Sequence, residues 1–186
     1  MILIAASAIK ITFGLRYYLL SEFDTILVYP EAYYSPFTKT YNLGETNIGM
    51  NTIVFSWKAF EEGYADPNDG LNVALHEFAH AIVLQMIVNG QKNNIFEKAY
   101  RKWLILISIP GVSAAIKQSG FFRDYAFVHD MEFFAVSMEA FFEQSEEMKK
   151  KWPDIYYCFV EMINMDPLTF NATIKNITNC IISNLC

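Results

Sequence analysis

The chain contains little cysteine, and this shortage excludes one class of small domain. Its 186 residues include three cysteines, Cys158, Cys180 and Cys186, which form no Cys-x-x-Cys pair. Secreted domains that depend on disulfides carry an even and much denser set. The pattern therefore argues against a disulfide framework and favours a reducing compartment, so we expect a cytoplasmic protein.

Positive charge is also scarce. Fourteen lysines and arginines face 20 aspartates and glutamates, and the net charge is −6. The nearest approach to a basic run is Lys149–Lys151, which follows Glu146 and Glu147. Nucleic-acid-binding surfaces need clustered lysine and arginine. We therefore expect no nucleic-acid partner, and a solvated helix end explains the three lysines.

Long apolar runs are absent as well, although 53% of the residues are hydrophobic. A membrane-spanning helix needs about 20 consecutive apolar residues. Lys10 and Arg16 interrupt the first apolar segment, and the run at 103–116 is short and contains Pro110 and Gly111. Both segments are typical of buried helices, and we expect no membrane span in this chain.

Hydrophobic patterning places strands early in the chain and helices later. The segments 25–30 and 50–57 are β-branched and aromatic, as strands are, and the turn-rich stretch between them predicts a loop or irregular hairpin. We expect Asp69 and Asp130 to cap helices. The predicted helices are 2–13, 71–88, 95–107, 112–118, 131–147 and 153–165. A small N-terminal sheet with helices, followed by a helical C-terminal half, is an α+β fold.

Histidine is equally rare, yet two of the three histidines lie four residues apart in an apolar run. His76, Glu77 and His80 form the pattern H-E-x-x-H. Residues four apart share one helix face, so the two imidazoles can bind one metal ion while Glu77 reaches a water molecule beside it. This is the arrangement of zinc proteases. The alternative is a pair of core histidines that hydrogen-bond to backbone carbonyls.

A hydrolytic zinc site needs a third protein ligand and one open position for water. In the predicted helix 131–147, Glu132, Glu139 and Glu143 fall on one face with smaller residues between them, and large aromatic residues fall on another. This acidic face could approach a second helix closely and direct Glu132 at the metal, or it could be a solvated stripe. The pattern leaves both open. The candidate third ligands are Glu97, His129, Glu132 and Glu139.

Two blocks of the sequence resemble the signature blocks of a known family. "DGLNVALHEFAHAI" and "DYAFVHDMEFFAVSMEAFFE" look like those of the Mlc titration factor A family of zinc peptidases, and "AASAIKITFGL", "TILVYP" and "VFSW" are similar to its upstream segments. The resemblance covers most of residues 2 to 168. It implies a zincin-like metallopeptidase domain at 1–168, with a catalytic core similar to that of anthrax lethal factor. Residues 169–186 would form a C-terminal tail of unknown role.

The resemblance also implies roles for individual residues. His76, His80 and Glu132 would bind zinc, and Tyr125, seven residues before Glu132, would face the substrate. Glu77 is the expected general base. We expect Glu139 to accept the second ring proton of a ligand histidine.

The function that follows is zinc-dependent hydrolysis of peptide bonds, including aminopeptidase activity, on a peptide or protein substrate. We expect the strand Asn51–Phe55 to pair with an extended peptide as an added strand. The alternative function is a protease-like binding module that sequesters a transcriptional regulator, because enterobacterial members of the family bind a repressor. The intact Glu77 argues against this alternative, since a structural zinc site has no use for it.

Overall fold

The computed structural model describes residues 2–16, 19–89 and 94–170, and most of the predicted tail, 171–186, lies outside them. The described residues follow the predicted α+β order, with a small sheet before most of the helices. The strands are β1 (Thr25–Tyr29), β2 (Tyr33–Ser35), β3 (Thr40–Asn42), β4 (Gly44–Asn47) and β5 (Thr52–Ser56). The α-helices are α1 (Ile2–Thr12), α2 (Trp57–Ala65), α3 (Val73–Asn89), α4 (Asn94–Ser108), α5 (Pro110–Gln118), α6 (Asp130–Glu143), α7 (Ser145–Lys151) and α8 (Pro153–Ile163).

Strand β5 is the centre of a three-stranded sheet. It pairs in parallel with β1 on one side and antiparallel with β4 on the other, while β2 and β3 form a separate hairpin. Both backbone edges of β5 are therefore occupied. The expectation that Asn51–Phe55 accepts an added strand is wrong, because β5 has no free edge. Strand β4 lies at the sheet margin, and no described strand pairs with its outer side. The segment that contains β4 is the turn-rich stretch for which a loop or irregular hairpin was predicted.

Helix α3 passes between β4 and α6 and begins at a buried cap. The side chain of Asn72 accepts a hydrogen bond from the backbone N–H of Leu75 at 3.1 Å, which satisfies one free donor of the first turn. The predicted cap, Asp69, instead accepts from the N–H of Leu71 in the preceding turn. The cap sits closer to the motif than expected, and its backbone takes part in the site described below.

Helix α6 is buried along nearly its whole length. On one side, Phe134 lies 5.2 Å from the ring of Phe159 in α8 and 5.6 Å from that of Trp103 in α4. Burial of each such ring contributes roughly 1.5–3 kcal/mol to stability. On the other side, Glu132 and Glu139 are only 9% and 1% exposed, so the solvated-stripe alternative is wrong.

The ends of α6 differ from the predicted ones. His129, not Asp130, is the N-cap, and its Nδ1 accepts the N–H of Glu132 at 3.3 Å. The predicted helix 131–147 is interrupted at Gln144, whose backbone is not helical, and α7 follows. Within the described residues, no helix is both long and apolar enough to cross a membrane.

Candidate metal centre

Helix α3 presents the two motif histidines on the face that meets α6. One helical turn separates His76 from His80, and their Nε2 atoms lie 3.1 Å apart. Both imidazoles are buried, and their ring planes are nearly perpendicular. The two nitrogens can therefore bind the same ion.

Helix α6 brings a carboxylate to this pair. Glu132 Oε2 lies 2.9 Å from His76 Nε2 and 3.5 Å from His80 Nε2. In a tetrahedral zinc site with bonds of 2.0–2.1 Å, adjacent ligand atoms are about 3.3 Å apart. The three observed spacings fit that geometry, and two imidazoles with one carboxylate are a donor set that zinc accepts.

The other candidate ligands lie elsewhere. Glu97 forms an exposed ion pair with Arg101 in α4. His129 uses Nδ1 to cap α6, and its Nε2 is 3.7 Å from Glu132 Oε1, the carboxylate oxygen that does not face the histidine pair. Glu139 contacts the Nδ1 side of His76, opposite the ring atom that faces Glu132. Of the four candidates, only Glu132 forms a cluster with both motif histidines in the described chain.

A network behind His76 fixes the orientation of its ring. Glu139 Oε1 lies 2.7 Å from His76 Nδ1, and Glu139 Oε2 accepts the N–H of Asn72 at 2.7 Å. The guanidinium of Arg123 binds both oxygens of Glu139, at 2.6 and 2.9 Å, and also donates to the carbonyl of Gly70. A carboxylate on the second nitrogen of a metal-binding histidine holds the ring and raises its basicity. Arg123 belongs to no motif, and its role was not predicted from the sequence.

The surroundings of the cluster stabilise positive charge between the imidazoles. Burial opposes protonation of His76, but hydrogen bonds to Glu132 and Glu139 and nearby negative charge outweigh it and raise its pKa to about 10. Burial also opposes ionisation of Glu132, yet hydrogen bonds to His76 and His80 hold its pKa well below the usual range. A divalent cation would meet the same demand for positive charge.

Glu77 faces away from this network and lies against β4. The hydroxyl of Thr46 is 2.9 Å from Glu77 Oε2 and 2.9 Å from the backbone oxygen of the same residue. Gly44 lies under the other carboxylate oxygen, Oε1. Burial raises the pKa of Glu77, and the nearby histidines oppose that rise. Neither Thr46 nor Gly44 was predicted from the sequence as a residue of the site.

The cluster opens onto a cleft of about 820 Å³ between β4, the start of α3 and the segment before α6. Tyr125 lies on its wall, 49% exposed, with its ring 5.9 Å from that of His76. Burial and the charge of Glu132 raise the pKa of Tyr125 to about 12. Its hydroxyl therefore carries a proton at pH 7 and can donate a hydrogen bond into the cleft.

A buried histidine pair with a carboxylate from a second helix, open to a cleft, is typical of the metallopeptidase class. The chain belongs to the glucose-regulated metallo-peptidase M90 family, whose sequence profile matches residues 1–163. This confirms the resemblance to the Mlc titration factor A family. Membership implies a metal cofactor and peptide or protein substrates. The chain is also similar to the uncharacterized protein slr2042 of Synechocystis sp., with 25% identity over 185 residues, 88% of this chain and 67% of that protein.

Proposed function

We propose that the protein is a zinc-dependent peptidase in which His76, His80 and Glu132 hold the ion and Glu77 is the general base. The observation that carries this proposal is the convergence of three donor atoms, 2.9 to 3.5 Å apart, from two different helices. Core histidines held by backbone carbonyls would not require such convergence. The buried Glu77 beside the cluster has no role in a purely structural site.

The roles of the protein groups follow from their positions. When bound, zinc would supply Lewis acidity, which would lower the pKa of a water molecule to about 7 and polarise the scissile carbonyl. Glu77 accepts the proton of the attacking water and delivers it to the leaving amine. Tyr125 donates a hydrogen bond to the developing oxyanion, a contact that is typically worth about 3 kcal/mol. Glu139 and Arg123 keep His76 in the orientation in which Nε2 faces Glu132 and His80, the two other residues that would hold the ion.

Strand β4 is the surface on which we place the substrate. Its outer edge has no partner strand in the described chain, and three of its four residues, Gly44, Glu45 and Thr46, line the cleft. An extended peptide that adds to this edge gains backbone hydrogen bonds and lies next to Glu77. Binding of this kind depends on the peptide backbone and favours a peptide over other hydrolysable substrates.

We also propose that the peptidase is an aminopeptidase, which removes residues from a free N-terminus. Three acidic residues, Glu45, Glu62 and Asp69, line the same cleft, and their negative charge attracts a free α-amino group. A library of matched peptides with free and acetylated N-termini, read by mass spectrometry, tests it. Cleavage of free peptides alone supports an aminopeptidase, whereas equal cleavage of both contradicts this part.

Two pairs of variants test the proposed peptidase itself. Purified wild type should contain about one zinc per chain, and His80→Ala should lose it. His129→Asn is the control, because asparagine also caps helices and His129 lies outside the cluster.

Glu77→Gln should keep zinc and lose peptide cleavage, whereas the exposed Glu147→Gln should keep both. A wild type without metal would refute the metal site, and an active Glu77→Gln variant would refute the role of Glu77 as general base. A wild type that binds zinc but cleaves no peptide would favour the binding module.

A further inference from the structure

We propose that Thr46 is a positioning residue that holds the Glu77 carboxylate in place, and that Gly44 supplies the space in which the carboxylate lies. This inference rests on the proposed function, because it assigns Glu77 the role of base. Both residues belong to β4 and point to the same face of the sheet, since they are two positions apart.

The first support is the pair of contacts that Thr46 makes. Its hydroxyl oxygen is 2.9 Å from both the backbone oxygen and Oε2 of Glu77. The hydroxyl has one proton, and donation to an ionised carboxylate is the stronger of the two choices. Oε1 accepts no hydrogen bond from the described part of the chain. Thr46 therefore occupies one carboxylate oxygen and leaves the other for a water molecule.

The second support is the fit of the carboxylate against Gly44. A Cβ at position 44 would lie 2.4 Å from Oε1 and 2.7 Å from Cγ of Glu77, closer than atoms can approach. Gly44 does not have a positive φ, so its backbone conformation would accept alanine. The atoms in the way belong to a flexible side chain, which can rotate aside. Gly44→Ala should therefore displace the carboxylate rather than unfold the sheet.

The consequence is that β4 would support both the substrate peptide and the base, Glu77. If a peptide adds to β4, the same strand that fixes the peptide also fixes Glu77. A displacement of about 1 Å in a reacting group can reduce the rate on the order of 100-fold. Loss of the Thr46 hydroxyl should thus reduce kcat, while KM and metal content stay unchanged.

The kinetic test compares valine and serine at position 46. Thr46→Val, which keeps the side-chain shape, should lower kcat at least about 10-fold with KM within about twofold, and Thr46→Ser should restore most of kcat. Gly44→Ala should lower kcat similarly. Thr25→Val is the control, because Thr25 is also a strand threonine that donates to a carboxylate, that of Asp24 at 2.7 Å. If Thr46→Val is as active as Thr25→Val, the inference is overturned.

A second test needs neither metal nor activity. In metal-free protein, the urea midpoint is measured for Thr46→Val, for Glu77→Met and for the double variant. Methionine removes the acceptor oxygens of Glu77 but keeps an unbranched shape. If Thr46 holds the carboxylate, Thr46→Val should lower the midpoint less than half as much in the Glu77→Met background as in the wild type. Equal shifts in both backgrounds would overturn the inference.

These outcomes distinguish a failure of the Thr46 inference from a failure of the proposed peptidase function. A zinc-loaded wild type that cleaves no peptide refutes the proposed peptidase, and the urea cycle then still reports whether Thr46 and Glu77 interact. An active wild type with an equally active Thr46→Val refutes only the positioning role.

Discussion

The ion pair between Arg123 and Glu139 gives the sharpest test of how the centre is supported. Arg123 binds both oxygens of Glu139 at 2.6 and 2.9 Å, and Glu139 is 1% exposed. Arg123→Ala removes the only arginine that contacts this carboxylate in the described residues. A buried carboxylate would remain, with donors only from His76 and from the backbone of Asn72.

The expected cost can be worked from these contacts. Removal of one partner of a buried ion pair costs about 3–5 kcal/mol, because it leaves an uncompensated charge. Here the Arg123 side chain is 29% exposed, so water screens part of the interaction, and two donors to Glu139 persist. We therefore expect a loss of about 2–3 kcal/mol. For a chain of this length, that loss lowers Tm by about 4–12 °C.

The assay is thermal unfolding of metal-free protein, with Arg101→Ala as the matched control. Arg101 makes two hydrogen bonds of similar length, 2.8 and 3.1 Å, to Glu97, but its side chain is 72% exposed. That variant should lose no more than about 0.5 kcal/mol. If both variants lower Tm equally, burial is not what gives the Arg123 pair its strength. If Arg123→Ala melts within about 1 °C of wild type, the argument of uncompensated charge is refuted.

Three further predictions concern Tyr125, the metal and Glu143. Tyr125→Phe should lower kcat about 100-fold without loss of zinc, and unchanged steady-state kinetics would remove Tyr125 from the mechanism. Chelation should abolish cleavage and destabilise the fold by about 2.7 kcal/mol relative to protein at a zinc concentration 100 times Kd; an unchanged Tm would refute the site. Burial raises the pKa of Glu143 from 4.5 to about 7, against a hydrogen bond from Asn72 and the charge of Lys10, while Asp69 and Glu139 add to the rise. The unfolded chain releases this proton first, so the stability that Glu143 contributes is present below pH about 4.5 and is lost as the pH rises through about 7. Urea unfolding from pH 5 to 8 should therefore show a smaller loss for Glu143→Gln than for wild type, and parallel curves would contradict this.

Local patterns in the sequence predicted the elements that depend on local forces. The spacing of His76 and His80 on one helix face follows from helical geometry alone, and the fold order follows from composition and turn residues. The predicted N-cap positions were wrong by one to three residues, because several polar residues near a helix start can each accept hydrogen bonds from the free N–H groups. Asn72 displaced Asp69 as the cap because its side chain is buried and also binds Glu143 Oε1 at 2.8 Å. Such a choice depends on tertiary contacts.

The supporting residues of the centre could not be predicted for the same reason. Thr46 and Gly44 are 31 and 33 positions from Glu77, in a strand too short and polar to stand out in the sequence. Arg123 lies in an aromatic connector, where nothing indicates that it faces Glu139. Glu139 itself was predicted from its place on the same helix face as Glu132 and from the general need of a ligand histidine for a partner.

The arrangement of charge explains why metal binding and stability should be coupled. Glu77, Glu132 and Glu139 are buried within one small region, and among these three only Glu139 has an arginine partner in the described chain. Without metal, a proton on His76 offsets part of this negative charge, which is why its pKa rises so far. A divalent ion must displace that proton, because a metal ligand uses the free nitrogen lone pair. Acid should therefore weaken metal binding as protons compete for His76. This loss would follow from competition at the ligand itself, with the surrounding helices still folded.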